Sequence, residues 1–396
     1  MMAPGNSVHA QRPLDDLLRA GIAVTFMDAI DPRPVRTEHY RYIRLPRSGI
    51  KFLRRIFGAT LGYRISSWIK GSIGRCRKDY AIDLVHVHWL DQRAFYCVQE
   101  GLHPLVITIW GSDINDLLLP KADPAYRFII GEALRGADLI IADARDMIEK
   151  CRQLAGSPVP VTVLPLGIDT TRYAAIDLQI RAGWRERLNI PSEAYVLYSP
   201  RILTAFYGHQ TILTAFALAL SRLAQPAYLV FKRYNPQIGN AVSPFEMALR
   251  AQVSELGVSE RIRIDDAVTR EEVPIAFAGC DLVINYPEQD AFPITFIEAA
   301  ASGKGVVSIN HPSYRSTFAE EYFTLTAPGD VGALADAIVG AVNAPSTLTQ
   351  IKRQEAQRYV RQEHDEAAVT AKLLTCYQQL LSQSPASPVT APDHER

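Results

Sequence analysis

The stretch from Asp281 to Asn310, DLVINYPEQDAFPITFIEAAASGKGVVSIN, constrains the fold more than any other part of the chain. Asp281–Pro287 and Val306–Ile309 are short apolar runs rich in Val and Ile, and Thr295–Ser302 between them is a compact helix-former. Two buried strands joined through a helix make a βαβ unit, so their sheet is parallel. Thr295 and Glu298 stand at capping-box spacing, and Gly303 suits the left-handed position just past a helix. The loop 288–294 therefore leaves the carboxyl end of a parallel strand and opens onto a helix N-terminus. Sheets of this kind bind ligands there, where backbone N–H groups favour phosphate.

A chain of 396 residues, 48% hydrophobic and 21% charged, is globular and long enough for two domains with full cores. Its formal net charge of zero gives no reason to expect a nucleic-acid partner. The five cysteines (Cys76, Cys97, Cys151, Cys280 and Cys376) are odd in number, scattered and never in a C-x-x-C pair. That pattern reads as reduced cytosolic thiols, not as a disulfide frame or a zinc site. No run approaches 18 apolar residues and the N-terminus lacks a signal-peptide core, so the expected location is cytoplasmic, or peripheral on the inner face of a membrane. Residues 41–78 carry eleven Lys/Arg and no acid, interleaved with apolar side chains. This segment reads either as a contact for an anionic membrane surface or as a packed helix with a solvated basic face. The polar end, residues 384–396, is expected to be disordered.

The segment DAFPITFIE, Asp290 to Glu298, followed by AAASG and a Val pair, resembles the paired-acid signature of glycosyltransferase family 4. That family comprises retaining, nucleotide-sugar-dependent enzymes of GT-B fold. The spacing of the two acids is kept, but Asp replaces the first glutamate, Pro293 stands where a glycine is usual, and Gly305 where a proline is usual. The resemblance implies an α/β architecture of two Rossmann-like domains, with parallel sheets facing across a cleft. It divides the chain into an acceptor-side domain at 1–174, a nucleotide-sugar-binding domain at 175–366, and a last helix, 367–383, crossing back to the first. It also implies transfer of a sugar from a nucleotide-diphosphate donor to a hydroxyl of a sugar- or lipid-linked acceptor, in cell-surface glycan, glycolipid or natural-product assembly. No cofactor is implied, and without a D-x-D no metal is expected.

In that scheme Asp290 contacts the donor sugar and Glu298 the ribose hydroxyls, with Phe292, Pro293, Ile294 and Thr295 lining the donor loop. Arg201, at the end of YVLYSPR, neutralises the diphosphate. Tyr207-Gly208 stands where the family has Lys-Gly, and Lys232 is placed to supply the second charge. A leaving diphosphate gains negative charge, so fixed cations are the main need of the chemistry.

The acceptor side departs further from the pattern. Met1–Pro4 holds no strand, and the chain opens at what resembles the glycine loop facing the donor phosphates, with Gly5 and His9, before a helix at Arg12–Ala20. The first strand is thus expected to be missing, through a truncated or misassigned start. DLVHVHW (83–89) and LVITIWGSD (105–113) read as strands entering loops, and Trp110 takes the position of the usual histidine. His88, Trp110, Gly111 and Asp113 are expected on the acceptor side, with Asp113 among the catalytic groups and Trp110 as a stacking wall. Alternatively, His86 and His88 alternate across their strand and at least one is simply buried. Two His at this spacing without a nearby third ligand are weak evidence for a metal. Two other functions stay open: a catalytically impaired sugar-nucleotide-binding relative, and a GT-B sugar-nucleotide epimerase.

Overall fold

The Val- and Ile-rich runs all become strands of parallel sheets, as continuous apolar stretches do when helices cover both faces. A computed structural model describes the chain except residues 5–7, 29, 33–37, 46–60, 64–66, 175–176, 234–240, 267–271, 291, 316, 344–346 and 384–396; of residues 8–10, 67–72 and 112 only the backbone is described. The strands are β1 (Val24–Asp28), β2 (Tyr40–Arg44), β3 (Val85–His88), β4 (Leu105–Thr108), β5 (Leu139–Ala142), β6 (Val161–Val163), β7 (Tyr195–Ile202), β8 (Ala227–Lys232), β9 (Ile262–Asp265), β10 (Leu282–Asn285), β11 (Gly305–Ile309) and β12 (Thr324–Thr326). They fall into two units, one built from Met1–Leu164 with the segment from Thr370 on, the other from Pro165–Val369. The division comes earlier than the expected 174/175. The short helix Thr170–Ala174 lies in the second unit, where the Tyr173 ring meets that of Phe277 at 5.9 Å.

In the first unit β1 pairs with β2, and β3, β4, β5 and β6 pair in sequence order, all parallel. The N-terminus joins these pieces. Met2 bridges Met27 on one side and Val87 on the other, its N–H donating to the His86 carbonyl at 2.8 Å and its carbonyl accepting from His88 N–H at 2.7 Å. Residues 1–3 are buried and fill the position of a central strand. The expectation that this position is empty is thereby corrected. Three residues are too few to show a periodicity, so the pattern was unreadable. The first helix also starts earlier than expected, at Val8, which puts His9 on a helix and not in a loop. Gly5 and the His9 side chain lie outside the described residues.

The second unit runs β9-β8-β7-β10-β11-β12, all parallel. Counted from its own first strand, that is the doubly wound order 3-2-1-4-5-6, and the strand order reverses between β7 and β10. The βαβ unit read at 281–310 is β10, a helix at Ile294–Ala301, and β11 beside β10.

The last helix, Glu366–Gln383, passes from the second unit into the first. Its Leu373 and Tyr377 complete a core with Leu14, Leu17, Phe26, Tyr40 and Val106. Tyr377 also meets buried His86, whose Nδ1 contacts the Tyr377 hydroxyl and whose Nε2 contacts Thr108 Oγ1 at 2.7 Å. Burial first, then His88, holds the imidazole pKa well below its ordinary value, so the ring is neutral. One nitrogen then donates and the other accepts. Residues 46–60 and 64–66 of the basic segment 41–78 lie outside the described residues, and of 67–72 only the backbone is described. Within it, Tyr40–Arg44 is β2 and Ser67–Asp79 is a helix with Ile73 buried. Among the described residues no single helix is long and apolar enough to cross a membrane.

Replacing Tyr377 with Phe strips a hydroxyl from a buried imidazole. The unfolding free energy is expected to fall by about 1–3 kcal/mol in urea titration. An unchanged midpoint would contradict the role given to this contact.

Candidate functional site

The crevice outside the carboxyl ends of β7 and β10 is where a doubly wound sheet receives a ligand, and the second unit gathers its charges there. Arg201 is the last residue but one of β7. The β7–β8 register shifts between Ser199 and Ile202, an irregularity that re-aims the strand end and brings Ile202 opposite Lys232. Buried His209 fixes this end, its Nε2 donating to the Ile202 carbonyl at 2.9 Å and its Nδ1 facing Ser199 Oγ at 3.3 Å. Burial pushes the His209 pKa down to about 4, so it serves as a neutral clamp.

Arg201 meets Asp290 directly. Its Nη2 donates to Asp290 Oδ1 at 3.2 Å, and its guanidinium carbon lies 4.0 Å from the centre of the Tyr207 ring. Burial opposes the guanidinium charge, but Asp290, Tyr207 and Tyr314 outweigh it and hold the pKa above its ordinary value. Asp290 Oδ2 accepts from the Tyr314 hydroxyl at 2.8 Å, and that hydroxyl accepts from Asn285 Nδ2 at 3.3 Å. Ser313 Oγ donates to the Asp290 carbonyl at 3.1 Å. The hold of Tyr314 on Asp290 joins residues 24 apart and has no sequence signature.

The helix Ile294–Ala301 begins one residue before the expected start, with Pro293 at its N-cap and no side-chain cap hydrogen bond. This overturns the capping-box reading of Thr295 and Glu298. Once the helix starts at Ile294, Thr295 is past the cap and Glu298 sits in the second turn. There its Oε1 accepts from the Tyr173 hydroxyl at 2.7 Å. The other end matches expectation. Gly303 has φ 67°, its N–H donates to the Ala300 carbonyl, and the Lys304 N–H donates to that of Ala299, a Schellman closure. Lys232 is half-buried, and burial pulls its ammonium pKa down against the fields of Glu298 and Asp265. Thr295 is buried and Ile294 half-buried. The Phe292 side chain packs against Phe296, Phe318 and His364 in the core, which leaves its backbone to line the loop.

The first unit presents a different edge. His86 and His88 share one face, with ring centres 3.8 Å apart and Trp110 at 6.2 Å beyond His88. Side chains two apart on a strand point the same way, so the notion that these two alternate is wrong, and both are buried. The backbone at this edge is strained, with Trp89 at φ 86° and Gly111, the cap of helix Ser112–Leu118, at φ 105°. The Asp113 carboxylate accepts from Leu90 N–H at 2.9 Å and from Trp110 N–H at 3.0 Å, so it organises the loops after β3 and β4. Burial pushes its pKa up to about 6, despite those amides. Beside it Arg93 donates to both Asp91 and Asp28, tying the end of β1 to the loop after β3.

Two family profiles match the chain: "Glycosyl transferases group 1" over residues 181–361 and "Glycosyl transferase 4-like" over residues 2–144. Among curated proteins, the chain is 22% identical over 361 residues to a Bacillus subtilis glycosyltransferase named for teichuronic acid biosynthesis, TuaC, covering 85% of each chain. It is 24% identical over 241 residues to a D-inositol 3-phosphate glycosyltransferase of Corynebacterium glutamicum, spanning 59% of this chain and 57% of that protein. Among solved structures, it superposes on sucrose-phosphate synthase from Thermosynechococcus elongatus with a TM-score of 0.74 at 17% identity, covering 95% of this chain and 94% of that one. HepE of Anabaena, solved with UDP and glucose, gives 0.73 at 18% identity, covering 96% and 99%. The fold of both neighbours is GT-B.

The Asp113 geometry makes a pH prediction. Its pKa is raised on folding, from 3.8 to about 6, so its stabilising contribution is complete below the lower value and is lost as pH rises through the upper one. Relative to Asp113→Asn, the wild type should therefore lose up to about 3 kcal/mol between roughly pH 4 and 6. Parallel stability curves for the two proteins across that window would refute this.

Proposed function

We propose that this chain, which belongs to the family 4-like glycosyltransferases of GT-B fold, is a retaining enzyme that moves a sugar from a nucleoside-diphosphate donor to an acceptor hydroxyl. The observation that carries this is the convergence of Arg201, Lys232, Asp290 and Glu298 at the switch point of the second sheet, beside the N-terminus of helix Ile294–Ala301. Two cations and a helix N-terminus suit a diphosphate, and two carboxylates suit hydroxyls.

In the reaction, the acceptor oxygen attacks the anomeric carbon on the face from which the diphosphate departs. The carbon–oxygen bond to the diphosphate breaks through an oxocarbenium-like state, and the departing phosphate oxygen takes the acceptor proton. No protein general base is required. Arg201, Lys232 and the first amides of the helix meet the charge that grows on the leaving group. Asp290 holds sugar hydroxyls. Glu298 holds the ribose with acceptor capacity beyond its bond to Tyr173. With these groups in place the reading needs no divalent cation.

The structures of HepE with UDP and with UDP-glucose make a UDP-sugar the first donor to try. The acceptor is read as sugar- or lipid-linked, with the basic stretch 41–78 as its contact to an anionic membrane surface on the cytoplasmic side. The impaired-relative reading draws on a missing first strand, the Tyr207 replacement and Trp110 at the usual histidine position. Residues 1–3 at the strand position weigh against the first, and Lys232 beside Glu298 supports a second cation.

Nucleotide release from UDP-, GDP-, ADP- and dTDP-sugars tests the proposal, with and without a lipid extract and with and without EDTA. One donor should be turned over, insensitively to EDTA. Glu298→Ala should slow it at least about tenfold, roughly 1.4 kcal/mol of transition-state stabilisation. Release from no donor, or release that Glu298→Ala leaves intact, would end this reading.

A further inference from the structure

We infer that Tyr207 is a positioning residue for transfer: its ring face holds the Arg201 guanidinium in the plane from which it meets the departing diphosphate. The inference rests on the reading of Arg201 given above. The contact of Arg201 with Asp290 is a single bond of 3.2 Å from one Nη, not a two-pronged fork. A single bond fixes the guanidinium plane less firmly than a fork does. The second constraint is the Tyr207 ring, 4.0 Å below the guanidinium carbon, a distance at which ring and cation attract.

Tyr207 is itself held from several sides. It ends the short turn Ala205–Tyr207, with Phe206 edge-on at 5.1 Å and His209 at 6.4 Å. The next residue, Gly208, has φ 63°, and a side chain there would come within 2.0 Å of the Tyr286 carbonyl oxygen. Only glycine permits that approach. The turn after β7 is thereby pressed against the segment that follows β10, and the ring is located by both strands of the switch point. Half-buried and carrying no charge, Tyr207 offers a donor neither an ion pair nor a deep pocket. Its contribution falls on Arg201, and therefore on the step in which charge develops.

The test compares Tyr207→Phe, Tyr207→Leu, Tyr207→Lys and Arg201→Ala in the full-length protein, by kcat, donor KM and thermal midpoint. Phe keeps the ring face and should retain kcat within about threefold, whereas Leu and Lys should lower it about tenfold or more at nearly constant donor KM, with wild-type midpoints. Several results would overturn the inference: Leu matching the wild type, Phe falling as far as Leu, Lys equalling or exceeding the wild type, or a joint fall of midpoint, kcat and donor affinity, which would mark the turn as merely structural. Arg201→Ala separates the two levels of the argument. If it costs rate while Leu does not, the inference alone fails. If it costs nothing, the diphosphate reading fails and takes the inference with it.

Discussion

The ion pair between Arg201 and Asp290 is the constraint around which the second unit is arranged. A desolvated salt bridge is a weak source of stability, since removing two charges from water costs about what their attraction returns. Yet neighbouring side chains and a turn are committed to this one. Tyr314 and Ser313 hold the acid, Asn285 holds Tyr314, Tyr207 underlies the cation, and His209 fixes the strand end from which the arginine projects. Such an investment makes sense for a site kept assembled before its ligand arrives, because dipoles and charges already in place need no reorganisation when charge develops.

The same sheet logic governs both units. With residues 1–3 counted as a strand, the first unit reads β2-β1-(1–3)-β3-β4-β5-β6, the reversal seen in the second. All strands in such a sheet point one way, so every strand-end loop gathers at one edge, and so do the polar side chains. The two edges have been put to different use. In the second unit the charged groups face one another at the strand ends. In the first, His86 and His88 are sunk into the core and Asp113 is spent on backbone amides, which fixes the loops around Trp110.

What could be read from the sequence follows from the range of each interaction. The βαβ unit at 281–310 was legible because its pattern is local and long, and Gly303 because a left-handed helix end nearly demands glycine. Thr295 and Glu298 misled for the same reason: their spacing fits a cap, but a proline one turn earlier in the chain begins the helix. The amide partners of Asp113 carry no sequence signal and are invisible until the loops are folded. Tyr173 and Tyr314 carry no local signal. Each reaches its acid from a distant segment, 125 residues away in the case of Glu298.

The helix Glu366–Gln383 makes the first unit discontinuous in sequence: residues 1–164 lack Leu373 and Tyr377 until that helix is made. Synthesis runs from the N-terminus, and domains usually fold as they emerge. Here that order is inverted. The unit made first has one side of its core uncovered until residues 370–383 exist, while the unit made second has every strand of its sheet before that helix is made. The segment that closes the older unit is made only after the strands of both sheets.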